Sequence, residues 1–171
     1  GHGDTDTDSH LSLPVIYHPK KRLKNIEFYP FKKLIDKGVG GVMIAHLYVP
    51  SLDPKEKMAS TLSPIVVNDI LKVNLGFKGL IYTDALNMKG VSESNRKGDI
   101  DMEAFLAGND ILLFPESVAK GLKKIKKALK DGLISEEEIT ARVEKILKAK
   151  SWVGLNNYKP VSTQKINEEL N

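Results

Sequence analysis

Three short apolar runs constrain this chain most: residues 39–46 (VGGVMIAH), 78–84 (KGLIYTD) and 110–114 (DILLF) are β-branched or aliphatic and lack polar alternation. A strand that is wet on one face alternates, so such runs predict strands covered on both faces, the pattern of a parallel sheet. The segments between them read as helices. Ser63 and Pro64 offer an N-cap and a first-turn proline for a helix over 65–75, and Gly76 stands where a helix end is stopped. Further helices are predicted over 30–37, closed by Gly38, over 102–107, over 117–130 with Gly132 beyond, and over 136–150. Ser135 and Glu138 spell a capping box for the last of these, whose apolar face carries Ile139, Val143, Ile146 and Leu147.

Loop, helix, strand, helix, strand, helix, strand, helix, helix is an order of βα units with right-handed crossovers. A (β/α)8 barrel needs eight strands and typically ~250 residues. With three strands in 171 residues, the chain is expected to be α/β, the C-terminal part of a TIM-type barrel with the remainder outside it. The alternative is a small open sheet whose edges something else covers. Residues 1–151 form the expected barrel part, and 152–171, rich in Asn and polar residues, a surface-docked tail or linker. The chain begins inside a motif, so Gly1 is expected not to be the natural start.

A hydrophobic fraction of 41% supports a buried core. No run approaches the ~20 apolar residues of a membrane span. The net charge of +4 comes largely from lysines at 20–24 and 120–130. In the second cluster Val118, Leu122, Ile125 and Leu129 recur at helical spacing, so the lysines read as a solvated helix face, and without interleaved aromatics no nucleic-acid partner is expected. The absence of cysteine excludes disulfides, a thiol nucleophile and thiolate zinc sites, and leaves the compartment open.

Ligands of parallel α/β domains sit at the C-terminal ends of the strands. His46, Asp84 and the Phe114-Pro115 pair close the three predicted strands. A carboxylate directly after Leu80, Ile81 and Tyr82 is costly to desolvate, which suits a functional acid, although Asp84 could instead cap the following turn. His46 either lines the site or hydrogen-bonds inside its mouth. Asn87 and Met88 either pave the site or, for the methionine, pack in the core.

Near the N-terminus, Asp8, Ser9 and His10 form a second candidate group. In an extended segment residues two apart point the same way, so Asp8 would accept from one imidazole nitrogen of His10 and leave the other free to move a proton near neutral pH. A polar loop without a task is the plain alternative. Asp4, Asp6 and Asp8 reproduce three calcium-loop positions, but Ser9 replaces the turn glycine and Val15 the bidentate glutamate. His2 and His10 lack the helical spacing of zinc hydrolase motifs. No metal and no cofactor is expected, and His18, beside Pro19 and lysines, reads as a surface residue.

These segments resemble the family-3 glycoside hydrolases, in particular the bacterial β-N-acetylglucosaminidases of the peptidoglycan-recycling type. Gly1-His2-Gly3, four variable residues, then Asp8-Ser9-His10 match the second half of a signature that opens with Lys-His-x-Pro. Residues 76–90 (GFKGLIYTDALNMKG) look like the family's nucleophile strand, and 107–110 (AGND) like the approach to its last strand. The likeness runs over residues 1–155, and the two motifs together are highly specific. It implies Asp84 as nucleophile, His10 as general acid/base, Asp8 as the residue that orients His10, and His2 as a substrate contact. His46 and Met88, from their strand-end positions, are further candidate contacts.

The implied reaction is retaining hydrolysis of a terminal β-linked N-acetylglucosamine through a glycosyl-aspartate. The implied partners are an aminosugar oligosaccharide and the N-terminal half of the barrel, from the same protein or a second chain. Without that half the isolated chain is expected to be inactive. A β-glucosidase-like member usually lacks the Asp-Ser-His loop, a phosphorolytic member shares the histidine, and a non-catalytic carbohydrate-binding fragment has no need of a matched acid and nucleophile. The implied setting is a bacterial cytoplasm or cell envelope, and the choice among muropeptide, chitooligosaccharide and other aminosugars stays open.

Overall fold

The three apolar runs pair side by side as β1 (Gly41–Ile44), β2 (Leu80–Ala85) and β3 (Ile111–Leu113), all parallel and in sequence order. The computed structural model describes residues 2–92 and 98–160. Helices α1 (Lys20–Asn25) and α2 (Phe28–Asp36) precede the sheet. A 3-10 turn (Ser60–Leu62) and a π-helical segment (Ile65–Asn74) cross from β1 to β2, and α3 (Lys89–Ser92) and α4 (Asp99–Ala107) cross from β2 to β3. Helices α5 (Val118–Lys130) and α6 (Glu136–Trp152) follow.

Gly41 faces Leu80 and Ile44 faces Thr83 across the first pair, and Tyr82 faces Ile111 across the second. The second ladder is irregular between Tyr82 and Ala85. There the Thr83 hydroxyl accepts the Leu113 N–H at 2.9 Å, so the ladder closes through a side chain beside Asp84. Because the strands share one direction, His46, Asp84 and Phe114 are carried to the same end. Phe114 is 72% exposed and has φ +44°, the left-handed region that a bulky residue rarely enters.

One face of the sheet is dry. Ile44, Val67, Leu71, Phe77, Ile81 and Ala107 form a cluster against which Val42 also packs. Full burial of a side chain such as Ile81 is worth on the order of 2 kcal/mol. The other face departs from the expectation of strands covered on both sides: Met43 is 55% exposed. Met43 alternates with Val42 and Ile44, which meet the helical cluster, and so points to the opposite face.

Two further clusters tie loops to this frame. Leu86, Val91, Ile100 and Ala104 pack with Ala59, Leu62 and Leu13, while Ile16, Leu23, Val49 and Leu52 seat α1. Polar stitching closes the opposite end: Asp110 accepts the Ile81 N–H at 2.8 Å and the Lys145 ammonium at 2.7 Å, and Arg142 donates to the carbonyls of Phe105 and Asn109. These bonds hold α6 against the sheet.

The capping box of Ser135 and Glu138 is present at the start of α6. Ser63 accepts the Val66 N–H at 3.2 Å and donates to Asp53 at 2.6 Å, so it caps the π-helical segment. Residues 153–160 are exposed, and 161–171, which the expected tail includes, lie outside the described residues. Among the described residues no helix is long and apolar enough to cross a membrane.

Candidate active site

Asp84 leaves β2 on the same face as Leu80 and Tyr82, because side chains alternate along a strand. Its Oδ1 accepts the Ala85 N–H at 2.8 Å. The carboxylate lines a cleft of about 380 Å3 beside the free edge of β1, which it shares with His2, Asp4, Met43, Ala45 and Ser60. That size is in the range of small-ligand sites.

His46 stands behind Asp84, fully buried. Its Nε2 lies 3.0 Å from the Ala85 carbonyl and its Nδ1 2.7 Å from the Thr61 hydroxyl. A carbonyl only accepts, so Nε2 carries the proton. Burial pushes the imidazole's pKa below the ordinary histidine value, against the opposing pull of the Ala85 carbonyl and Asp84. The Thr61 hydroxyl then donates to Nδ1. With both nitrogens engaged, His46 hydrogen-bonds inside the mouth and has no donor or acceptor left for a substrate.

The loop before α1 carries the remaining candidates. His2 Nε2 lies 2.6 Å from the hydroxyl of Ser9, itself buried. Asp8 Oδ1 accepts both the His10 N–H at 2.9 Å and the His10 Nδ1–H at 2.8 Å. The backbone is a turn rather than the extended segment expected, since Leu11 and Ser12 donate their N–H groups to the Asp8 carbonyl. An aspartate that bonds the N–H two residues on favours such a turn. The bond from Asp8 fixes the proton on Nδ1 and leaves Nε2 open on a ring that is 74% exposed. The His10 N–H and then its ring hold the Asp8 carboxyl below the usual carboxylate range.

Asp4 anchors the loop to α1. Its Oδ2 accepts from His18 Nε2 at 2.8 Å and from Arg22 at 3.0 Å, which lowers its pKa. His18 is therefore a structural anchor, not the idle surface residue expected. Among the described residues no group of three or more His, Asp or Glu side chains is arranged to hold a metal ion.

The fold thus brings Asp84 and His2 into one cleft with His46 directly behind, while the Asp8–His10 pair stands outside the cleft lining. Met88 turns inward instead: it is 8% exposed and absent from the lining, so core packing rather than substrate contact is its place here. Thr61, the partner of His46, was not legible as a functional residue, and the contact of Ser9 with His2 was not legible either. Small hydroxyl side chains carry no periodic signal, and only the contact reveals them.

Three parallel strands in sequence order, joined by helical crossovers and with an aspartate at the end of the central strand, are the arrangement of a segment of a barrel-type α/β domain. Residues 1–149 match the Glycosyl hydrolase family 3 N terminal domain. The chain belongs to that family. It superposes on a glycoside hydrolase family 3 beta-N-acetylglucosaminidase from Paenibacillus sp. str. FPU-7 with a TM-score of 0.88 and 35% identity, over 96% of this chain and 32% of that one. It is 29% identical to Beta-hexosaminidase A of Pseudoalteromonas piscicida over 88% of its own length and 28% of the relative's. It also resembles the Beta-glucoside phosphorylase BglX, with a TM-score of 0.81 and 27% identity over 89% of this chain and 29% of the other. The chain therefore spans about a third of the length of these relatives.

Proposed function

We propose that this chain supplies the catalytic residues of a retaining exo-β-N-acetylglucosaminidase acting on peptidoglycan fragments or related aminosugar oligosaccharides. Asp84 attacks the anomeric carbon and forms a glycosyl-enzyme while His10, entering the step as the imidazolium, gives its Nε2 proton to the leaving oxygen. His10 then takes a proton from water, which releases the sugar. Asp8 fixes the tautomer. A histidine acid avoids two like carboxylates whose repulsion would otherwise set the pKa.

The observation that carries this reading is the pairing of Asp84 in the cleft with an assembled Asp8–His10 dyad on the loop that also brings His2 there. Because the dyad stands outside the cleft lining, the loop closes over bound sugar before the first step. The relatives named beta-hexosaminidase and beta-N-acetylglucosaminidase support the aminosugar as substrate. The N-terminal part of the barrel, in the same protein or a second chain, completes the sugar pocket, and the isolated chain is inactive.

The test compares Asp84→Ala and Asp84→Asn in the full-length protein. Sugar binding retained with hydrolysis abolished supports the proposal, and turnover that survives either change contradicts it. The likeness to a phosphorylase favours one second reading, in which phosphate replaces water in the second step. Release of free N-acetylglucosamine at equal rates with and without phosphate supports hydrolysis, and a sugar 1-phosphate product overturns it.

A further inference from the structure

We infer that Gly90 is a positioning residue for the acid/base loop: its missing side chain lets the Asp8–His10 turn seat on the segment that follows Asp84. The inference rests on the reading of His10 as acid/base. Gly90 lies in α3 and is not among the glycines with positive φ, so its backbone does not demand glycine. Glycine is also the poorest helix former after proline, which argues that space and not propensity selects it.

A Cβ on Gly90 would stand 2.9 Å from the carbonyl oxygens of both Ser9 and Ser12, and 3.2 Å from the Ser12 carbonyl carbon. Those atoms are backbone, so no rotamer change relieves the clash. They flank His10 on both sides, and Ser12 also donates its N–H to the Asp8 carbonyl that sets the turn. Just beyond, Leu13 packs on the cluster that holds Val91 of the same helix and Leu86 of the β2 exit. The base of the loop is therefore seated on this helix, and the Asp8–His10 turn projects from that seat. A methyl group at position 90 displaces Ser9 and Ser12, and His10 between them moves with them, out of its place beside Asp8. The Gly90 contact, beside the packing of Leu13, thus sets the register between the nucleophile strand and the acid/base loop.

The test uses the full-length protein and two N-acetylglucosaminides, one with a nitrophenyl leaving group and one with an alkyl alcohol. The ratio kcat/KM reports the first bond-breaking step, and an alcohol needs protonation where a nitrophenolate does not. Gly90→Ala is expected to lower kcat/KM for the alkyl glycoside by about tenfold or more, and for the nitrophenyl glycoside by less than about threefold. His10→Ala shows the same selectivity with a larger loss, and Lys89→Ala, on the exposed side of α3, leaves the ratio unchanged. Equal losses for both substrates in Gly90→Ala, beside a selective His10→Ala, overturn the role of Gly90 alone. A His10→Ala variant that does not discriminate overturns the acid/base reading and this inference with it. Loss of cooperative unfolding in Gly90→Ala also overturns the inference, because the clash would then reach beyond the loop.

Discussion

His46 donates a hydrogen bond from Nε2 to the Ala85 carbonyl across 3.0 Å and so ties the end of β1 to the end of β2, one residue from Asp84. The bond has a consequence for stability against pH. Burial holds the folded imidazole's pKa down, while the unfolded chain titrates His46 at about 6.5. As pH falls below about 6.5 the unfolded state takes up a proton that the folded state refuses, so stability present above that pH is lost until the folded pKa is passed. Urea unfolding at about pH 7.5 and about pH 5.5 should show a smaller loss in His46→Gln than in the parent protein. Identical losses would place the depressed group elsewhere.

Lys145 supports the opposite end of the sheet. Its ammonium meets Asp110, whose side chain is 1% exposed and which also holds the Ile81 N–H. Removal of the cation leaves a buried carboxylate short of a partner. Because Lys145 itself is 30% exposed, water offsets part of the cost, and Lys145→Met should destabilise the chain by about 2 kcal/mol in chemical denaturation. Lys148→Ala, which breaks only the exposed pair with Glu144, should leave the midpoint unchanged.

Asp8 sets the proton on His10. Asp8→Asn keeps the size of the side chain but replaces the carboxylate with an amide that can donate as well as accept, so the tautomer and orientation of the ring are no longer fixed. In the full-length protein kcat/KM for alkyl glycosides should fall about tenfold to a hundredfold, with an unchanged unfolding midpoint. An unchanged rate would show that the 2.8 Å contact has no part in proton transfer.

Much of the frame was legible because it depends on local pattern. Unbroken apolar runs located all three strands, and Ser135 with Glu138 located the start of α6 to the residue. Each strand was expected a residue or more too long at its start, because the run's composition does not mark where the ladder begins, at Gly41 opposite Leu80. Helix α1 escaped notice because Leu23 is its one buried side chain, and a single apolar anchor amid lysines sets no period. The site divided in the same way. Asp84, Asp8 and His10 sit in recognisable strings, whereas the contact of His46 with Thr61 and the crowding at Gly90 depend on residues far apart in sequence.

The covalent step itself tests the central proposal most directly. A 5-fluoro-N-acetylglucosaminyl fluoride, which slows release of the sugar more than its attachment, is incubated with the full-length protein, and the labelled peptide is then found by mass spectrometry. The label should sit on Asp84, and His10→Ala should still acquire it, because fluoride departs without a proton donor. A label on another residue, or turnover of the probe with Asp84 replaced by Ala, would contradict the assignment.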